Sequence, residues 1–373
     1  MDLSLPGDDP RRQAVRAWLV ANPAPTGRQL AEAGYVVPHW PEPWGLGADP
    51  ILQLTIDDEL KRAGVRRPVN PIGIGWAGPT LLRAGTEAQK ERWLWPLISG
   101  EAIWCQLFSE PEAGSDLASL TTAAVLDGDE WVVSGQKVWT SLAHIARFGI
   151  LLARTDRQAP RHRGISYFVC PMDTPGIEVR PLVDMTGAHT FNEVFFDDVR
   201  IPADHLIGDV DHGWDLAKVT LANERVSLSA EGALWGRGPT ANDLVGLVRG
   251  SGGSSDAVLR QRLAAVWSEG DVLRTLRERQ TAAAAAGRAR GPESSVRKAL
   301  ADAHGQHLMN LGRDLAGPFA MLDGIGPTRS PDREWSQGFL YSPALTVGGG
   351  TAEVQRNIVA EQVLGLPRDS IPT

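Results

Sequence analysis

Three short stretches of this chain carry residue types suited to a polar, planar ligand. The first is Phe108-Ser109-Glu110-Pro111-Glu112-Ala113-Gly114-Ser115-Asp116, dense in hydroxyls and small residues. Such a loop lets backbone N–H groups and hydroxyls approach a ligand closely. It fits a capped turn equally well, with Ser115 or Asp116 as N-cap. The second, Gly135-Gln136-Lys137-Val138-Trp139-Thr140-Ser141, sets an aromatic before two hydroxyls at the end of a strand. That order can wall a flat ring and hydrogen-bond its edge. The third, Gly348-Gly349-Gly350-Thr351-Ala352-Glu353-Val354-Gln355-Arg356, runs three glycines straight into a helix. Backbone without side chains lets a ligand press against it, and a helix N-terminus favours negative charge. A plain loop with Thr351 as N-cap and Glu353 in the first turn fits the same residues.

Other patterns point nowhere. Gly73, Gly75 and Gly78 spell the dinucleotide fingerprint, but Pro71 stands just ahead and no strand–helix–strand unit surrounds them. His304 and His307 lie three apart on a helix, with no carboxylate or cysteine spaced to complete a metal site. There is no serine nucleophile elbow and no phosphate loop.

The elements that must position these stretches fall into three zones. Residues 1–100 read as helices broken by turns: Pro10 and the Asp49-Pro50 pair open two of them, Gly64 stops the second, and Glu87 begins another that ends near Gly100. Residues 101–210 change period. EWVVSGQKVWT, FGILLART, GISYFVCPM, IEVRPL and FNEVFFDDVRIP are short runs bounded by Gly, Pro or Asp, which predict a small antiparallel barrel or sandwich. From 211 to 373 helix returns in long periodic runs, which predict a four-helix bundle. The expected fold is α+β and multidomain: N-terminal helices, central β domain, C-terminal bundle.

Composition excludes several classes. At 373 residues the chain exceeds one compact core, so two or three domains are expected. A net charge of −8 argues against nucleic acid or acidic lipid as the main partner. The two cysteines, Cys105 and Cys170, give no disulfide framework or metal pattern and read as reduced, buried thiols. MDLSLPGDDPRR has no apolar signal core, and no stretch approaches the roughly 20 apolar residues of a membrane span. A cytoplasmic protein is expected.

Taken together and in order, SEPEAGSD, the Trp139-Thr140-Ser141 strand end, FNEVFFDDVRIP followed by LIGDVDHGW, and the GGGTAEVQR helix start resemble the acyl-CoA dehydrogenase family over nearly the whole chain. The resemblance implies FAD held between the sheet domain and the C-terminal bundle. Phe108, Ser109, Gly114 and Ser115 match the flavin and pyrophosphate loop. Trp139, Thr140 and Ser141 match the segment that packs on and bonds the isoalloxazine, and Thr351 and Glu353 match contacts from the last helix. The implied reaction is α,β-dehydrogenation of an acyl-CoA thioester to the trans-2-enoyl-CoA, with flavin N5 as hydride acceptor and electron-transfer flavoprotein or a similar acceptor as partner. A flavin oxidase or hydroxylase on this scaffold, and a non-catalytic or FAD-site-completing subunit, are the alternative readings.

A base must remove a weakly acidic Cα proton while hydrogen bonds polarise the thioester oxygen. Many relatives carry that base two residues before the threonine of the last motif, where this chain has Gly349. Others carry it on the long helix after the sheet, directly before an arginine. Leu221-Ala222-Asn223-Glu224-Arg225 matches that point. The resemblance therefore implies Glu224 as base, with Arg225, Gly349 and Gly350 on the substrate side. The Gly349 N–H and a flavin ribose hydroxyl would bond the thioester oxygen. The other reading of Glu224 is a surface helix residue paired with a neighbour.

A second departure concerns assembly. The family's Arg-x-x-Phe-Gly stretch, which reaches a neighbouring subunit's FAD, is missing from GPTANDLVGLVRGSGGSSD, and Asp314-Leu315-Ala316-Gly317-Pro318-Phe319 lacks the usual paired glycines. A hetero-oligomer with a homologous subunit is expected, as in bacterial relatives acting on bulky or steroid side-chain acyl-CoAs, with a homo-oligomer as the alternative. Ser227, Ser229, Ala230 and Gly232 would leave room for a wide acyl group, although small residues also permit close helix packing.

Overall fold

A computed structural model describes residues 4–228, 234–235, 238–250, 255–285, 292–317 and 332–368. Ser229, Ala230, Gly232, Pro318 and Phe319 lie outside the described residues. The chain divides into two compact units, one of residues 4–184 and 189–223, the other of residues 185–188 and 224–368.

The first unit opens with helices whose starts follow from their caps. Asp9 caps α1 (Pro10–Ala21) and Asp49 caps α3 (Pro50–Arg62), each with proline at the first helical position. Between them lies α2 (Gly27–Glu32), which opens on a capping box. Thr86 and Gln89 form a second capping box ahead of α5 (Glu87–Ser99), which stops at Gly100 in the left-handed conformation. The fingerprint-like glycines lie in helix: Gly73–Ala77 is a π-turn running into α4 (Gly78–Ala84). A Cβ at Gly78 would strike the Trp40 ring at 2.1 Å, so this glycine serves packing.

The same unit contains an eight-stranded sheet: β1 (Trp104–Leu107), β2 (Ala123–Asp127), β3 (Glu130–Lys137), β4 (Phe148–Arg154), β5 (Ile165–Pro171), β6 (Ile177–Leu182), β7 (Phe191–Pro202) and β8 (Leu206–Ile207). Its order is β6-β7-β3-β2-β4-β5-β8, with β1 joined to β4. Most pairings are antiparallel, as the short alternating runs predict, but β1 and β2 meet β4 in parallel. The sheet is therefore mixed. β4 and β5 are buried along nearly their whole length, which suits their unbroken Ile, Leu, Val and Phe content. Behind them the hydroxyls of Thr80, Thr220 and Tyr167 bond in a buried chain of 2.8 and 3.0 Å. Cys105 and Cys170 are buried free thiols.

α6 (Gly213–Leu228) begins in the first unit and ends in the second. In the second unit α7 (Ala241–Gly250), α8 (Ala257–Ala285), α9 (Glu293–Ala316) and α10 (Asp332–Tyr341) pack around Leu244, Val266, Leu308, Met309, Leu311 and Trp335. These are four helices around one core; α8 and α9 are among the long periodic runs of the sequence, whereas the short α7 and α10 are not read from it. α11 (Ala352–Ile358) follows a 3₁₀ turn at Ser342–Thr346. His304 and His307 both face Glu269, at 3.2 and 3.0 Å. Among the described residues no cluster could hold a metal, and no helix is long and apolar enough to cross a membrane.

One buried ion pair ties the first chemistry-bearing loop to the sheet. Lys137 is fully buried and donates to Glu110 at 2.8 Å and to the Phe108 carbonyl at 3.0 Å. Glu110 also accepts from the Thr121 and Thr122 N–H groups, at 2.7 and 2.9 Å. Burial disfavours both charges and draws Lys137 down to about 8. For Glu110 burial is outweighed by the Lys137 charge and the converging donors, which hold it at about 2. The ionised pair is the state this geometry favours, because two backbone N–H groups and an ammonium converge on the Glu110 carboxylate.

Lys137→Met is expected to destabilise the sheet unit by about 3–5 kcal/mol, read as a lowered denaturant midpoint. In the unmodified chain Glu110 has a folded-state pKa below its unfolded value. Its contribution is therefore present above about pH 4.5 and lost as pH falls toward 2, and acid-unfolding curves of Glu110→Gln should lack that loss.

Candidate active site

In the first unit, β1 delivers Phe108 and β3 delivers Trp139. Phe108 is buried edge-on against Tyr167, with ring centroids 6.0 Å apart. The Ser109 carbonyl accepts from Val138 N–H at 2.9 Å, which places the two stretches side by side. Glu110 and Ala113 exchange backbone bonds of 3.0 and 3.1 Å and close a tight turn. Gly114, Ser115 and Asp116 then emerge exposed. A Cβ at Gly114 would meet nothing within 4 Å, so the protein itself does not demand glycine there. The expected cap is absent: Asp116 precedes a 3₁₀ turn without a side-chain cap bond, and its carboxylate pairs with Arg161 instead.

Trp139 is the most unusual residue of this half. Its φ is +60°, rare for a bulky side chain, and its indole is 63% exposed, braced only edge-on by Phe191 at 6.0 Å. Backbone strain and an exposed aromatic together mark a site rather than a core. Beside it Thr140 is fully buried and exchanges backbone bonds with Asn192 at 3.0 Å each way. The Thr140 Oγ1 has no partner among the described residues. Ser141 is half-buried. A cleft of about 690 Å³ opens nearby, with His144, Arg147, Asp173, His189 and Asn192 among its lining residues. No predicted site residue lines it, and nothing in the sequence marks it.

The second unit brings the other predicted residues together. Glu224 is buried, 7% exposed, on the last turns of α6. An ideal Cβ built at Gly349 would stand 3.7 Å from Glu224 Oε1, 3.1 Å from Lys298 Cε and 2.5 Å from Leu228 Cδ1. The carboxylate thus stands beside Gly349, at a point that Leu228 and the Lys298 stem already crowd. Gly349 and Gly350 have φ of +69° and +90°, the left-handed region that glycine enters without steric cost. Their carbonyls accept from Gln355 Nε2, each at 3.1 Å, while their N–H groups have no partner among the described residues. Two unpartnered N–H groups beside a carboxylate can polarise a carbonyl whose neighbouring carbon loses a proton. Arg225 Nε is likewise buried without a partner among the described residues. Burial lowers the Arg225 pKa, and the neighbouring Glu224 charge acts against that.

Thr351 caps α11, its Oγ1 accepting from Val354 N–H at 3.3 Å, as the plain-loop reading has it. Glu353 stands exposed in the first helical turn. Sequence reasoning missed Lys298 and Asp302, which lie under the glycine turn. Four residues apart on a helix, they read as one more surface ion pair, and only their burial marks them.

Family domain descriptions match in chain order: acyl-CoA dehydrogenase N-terminal domain over residues 10–101, middle domain over 105–199 and C-terminal domain over 211–364. Acyl-CoA dehydrogenase IpdE1 of Mycobacterium tuberculosis is 39% identical over 361 residues, covering 95% of this chain and 89% of that protein. Acyl-CoA dehydrogenase FadE34 of the same organism is 44% identical over 340 residues, which are 91% of this chain but 46% of that protein, so the chain spans just under half of its length. Among solved structures, the Tcur3481-Tcur3483 steroid ACAD has a TM-score of 0.80 at 30% identity, covering 99% of this chain and 100% of that one. The ChsE4-ChsE5 complex from Mycobacterium tuberculosis has a TM-score of 0.77 at 28% identity, with coverage of 99% and 100%. Sequence order, fold and full-length similarity converge on one conclusion: the chain belongs to the acyl-CoA dehydrogenase family of flavoprotein oxidoreductases.

Proposed function

We propose that this chain carries out FAD-dependent α,β-dehydrogenation of an acyl-CoA thioester, with Glu224 as the base. The observation that supports this most is the Glu224 carboxylate, 3.7 Å from where a Cβ at Gly349 would stand. Where many relatives carry the base at the entry to the last helix, this chain has a glycine, and a carboxylate on α6 flanks it. Gly349 and Gly350 offer N–H donors to the thioester oxygen, which lowers the barrier to removing the Cα proton. Glu224 takes that proton. Arg225, with a buried and unpartnered Nε, binds a polar group of the substrate.

The residues of both units suit the family's cofactor. Trp139 presents a strained, exposed indole to a flat ring, and Ser141 offers a hydroxyl to its edge. Thr140 Oγ1 is a buried hydroxyl still without a partner. Phe108 and Ser109 lead into Gly114 and Ser115, where open space lets a pyrophosphate approach the backbone. Thr351 and Glu353 supply contacts from the start of α11. When bound, FAD supplies the acceptor for the hydride that leaves Cβ.

Assembly with a second, homologous chain is part of this reading. The segment 238–250 lacks the motif that reaches a neighbour's cofactor, and two of the similar solved structures carry paired names. The small side chain of Ser227 on α6 leaves room for a wide acyl group, consistent with the steroid ACAD among those structures.

Glu224→Gln is expected to lower turnover by about 10³-fold while the purified protein keeps its yellow colour and flavin spectrum. Unchanged turnover in that variant would mean a subunit that only supports a partner's site. Turnover with air alone, without an artificial electron acceptor, would mean an oxidase. Co-expression with a homologous subunit should raise bound FAD and activity together; stoichiometric FAD and turnover in a homo-oligomer of this chain would rule out the heteromer. Anaerobic flavin bleaching by the purified complex should be faster with branched, aromatic or steroidal CoA thioesters than with straight-chain ones.

A further inference from the structure

Lys298 sits on α9 with its side chain fully buried. An ammonium has three donors, and here each has an acceptor. Nζ donates to Asp302 Oδ2 at 2.6 Å, to the Leu345 carbonyl at 3.0 Å and to the Gly348 carbonyl at 3.0 Å. The last two belong to the segment that presents Gly349 and Gly350. The Trp235 ring lies 5.8 Å from Nζ and helps to shield it from water. The Lys298 stem and the Glu224 carboxylate flank the same point: a Cβ at Gly349 would lie 3.1 Å from Lys298 Cε and 3.7 Å from Glu224 Oε1.

A buried charge is costly to keep, so a lysine at this place calls for a reason. An apolar residue could fill the volume, but it could not hold two carbonyls of a turn whose neighbouring N–H groups must stay free. We propose that Lys298 is a positioning residue for the reaction: it fixes the glycine turn and, through its charge, keeps the Glu224 carboxylate ionised and aimed into the space at Gly349. This rests on the reading of Glu224 as base. Asp302 matches the ammonium, so the burial carries little net charge. Burial lowers the Lys298 pKa, against the pull of Asp302 and Glu224, and raises Asp302 to about 6. Among the described residues, the charged groups that interact with Glu224 include Arg225 on its own helix and Lys298 on α9, the latter paired with Asp302. Arg297, also on α9, is buried and donates to the Val226 carbonyl at 3.2 Å. From α11, Glu353 and Arg356 are exposed and pair with each other.

The test follows the Glu224 carboxyl directly. Protein labelled with ¹³C at glutamate side chains is titrated by NMR, with Glu224→Gln assigning the Glu224 signal and Asp302 silent in the label. Removing a nearby positive charge raises a carboxylate's pKa, so Lys298→Met should raise that of Glu224 by about one unit. The acid limb of kcat/KM should move up by the same amount. Lys298→Arg, which keeps the charge, should return the titration toward the unmodified value. If Lys298→Met does not fold, Lys298→Met/Asp302→Asn removes both buried charges and should shift the titration in the same direction. An unchanged Glu224 titration in the folded variant overturns the proposal. If Glu224→Gln is inactive while Lys298→Met leaves the titration unmoved, the positioning role alone is lost. If Glu224→Gln turns over normally, the base itself is wrong, whatever Lys298 does.

Discussion

In each of the two units a buried ammonium group holds the chemistry-bearing loop, and the two do so in the same way. Lys137 bonds the carbonyl of Phe108 and a buried glutamate; Lys298 bonds the carbonyls of Leu345 and Gly348 and a buried aspartate. A loop that must offer N–H groups to a ligand cannot satisfy itself through regular secondary structure. Its carbonyls still need donors, and a lysine reaching up from the core supplies them without occupying the ligand's face. The paired carboxylate removes most of the electrostatic cost. Both loops are thereby held from beneath and left open above.

Positive φ also occurs at both loops. Trp139 and the Gly349–Gly350 pair all hold positive φ, yet only the glycines do so freely. The strand β3 and the bonds from Asn192 to Thr140 hold Trp139 in a conformation that an isolated chain would leave. On the glycine turn, Gln355 and Lys298 share the carbonyls and leave the amides. Rigidity is thus built from hydrogen bonds below the site, which suits chemistry that requires donors to be aimed in advance.

Much of this was legible in the chain itself. Caps at Asp9, Asp49 and Thr86 are local signals, so the N-terminal helices could be read within a residue or two. The period-two runs gave the sheet, but the parallel meeting of β1 and β2 with β4 depends on long-range register that alternation does not encode. Glu224 and Gly349 were paired in the sequence because one lacks what the other provides, and the fold sets them side by side. Glu110, Lys137, Lys298 and Asp302 were not found as anchors, because a charged residue on a helix or strand looks the same whether it faces solvent or core. The Asp116 cap failed for a related reason: Arg161, 45 residues away, captures the carboxylate that local rules assign to a backbone N–H.

The crowding around Gly349 also constrains which residues this position can take. A carboxylate placed there would need a conformation with φ near +69°, would press on Leu228, and would crowd a second anion against Glu224. Two carboxylates in one pocket cannot both stay ionised, so at least one would hold a proton when a base is wanted. A carboxylate at position 349 and one at position 224 are therefore alternatives, which this fold does not readily hold together.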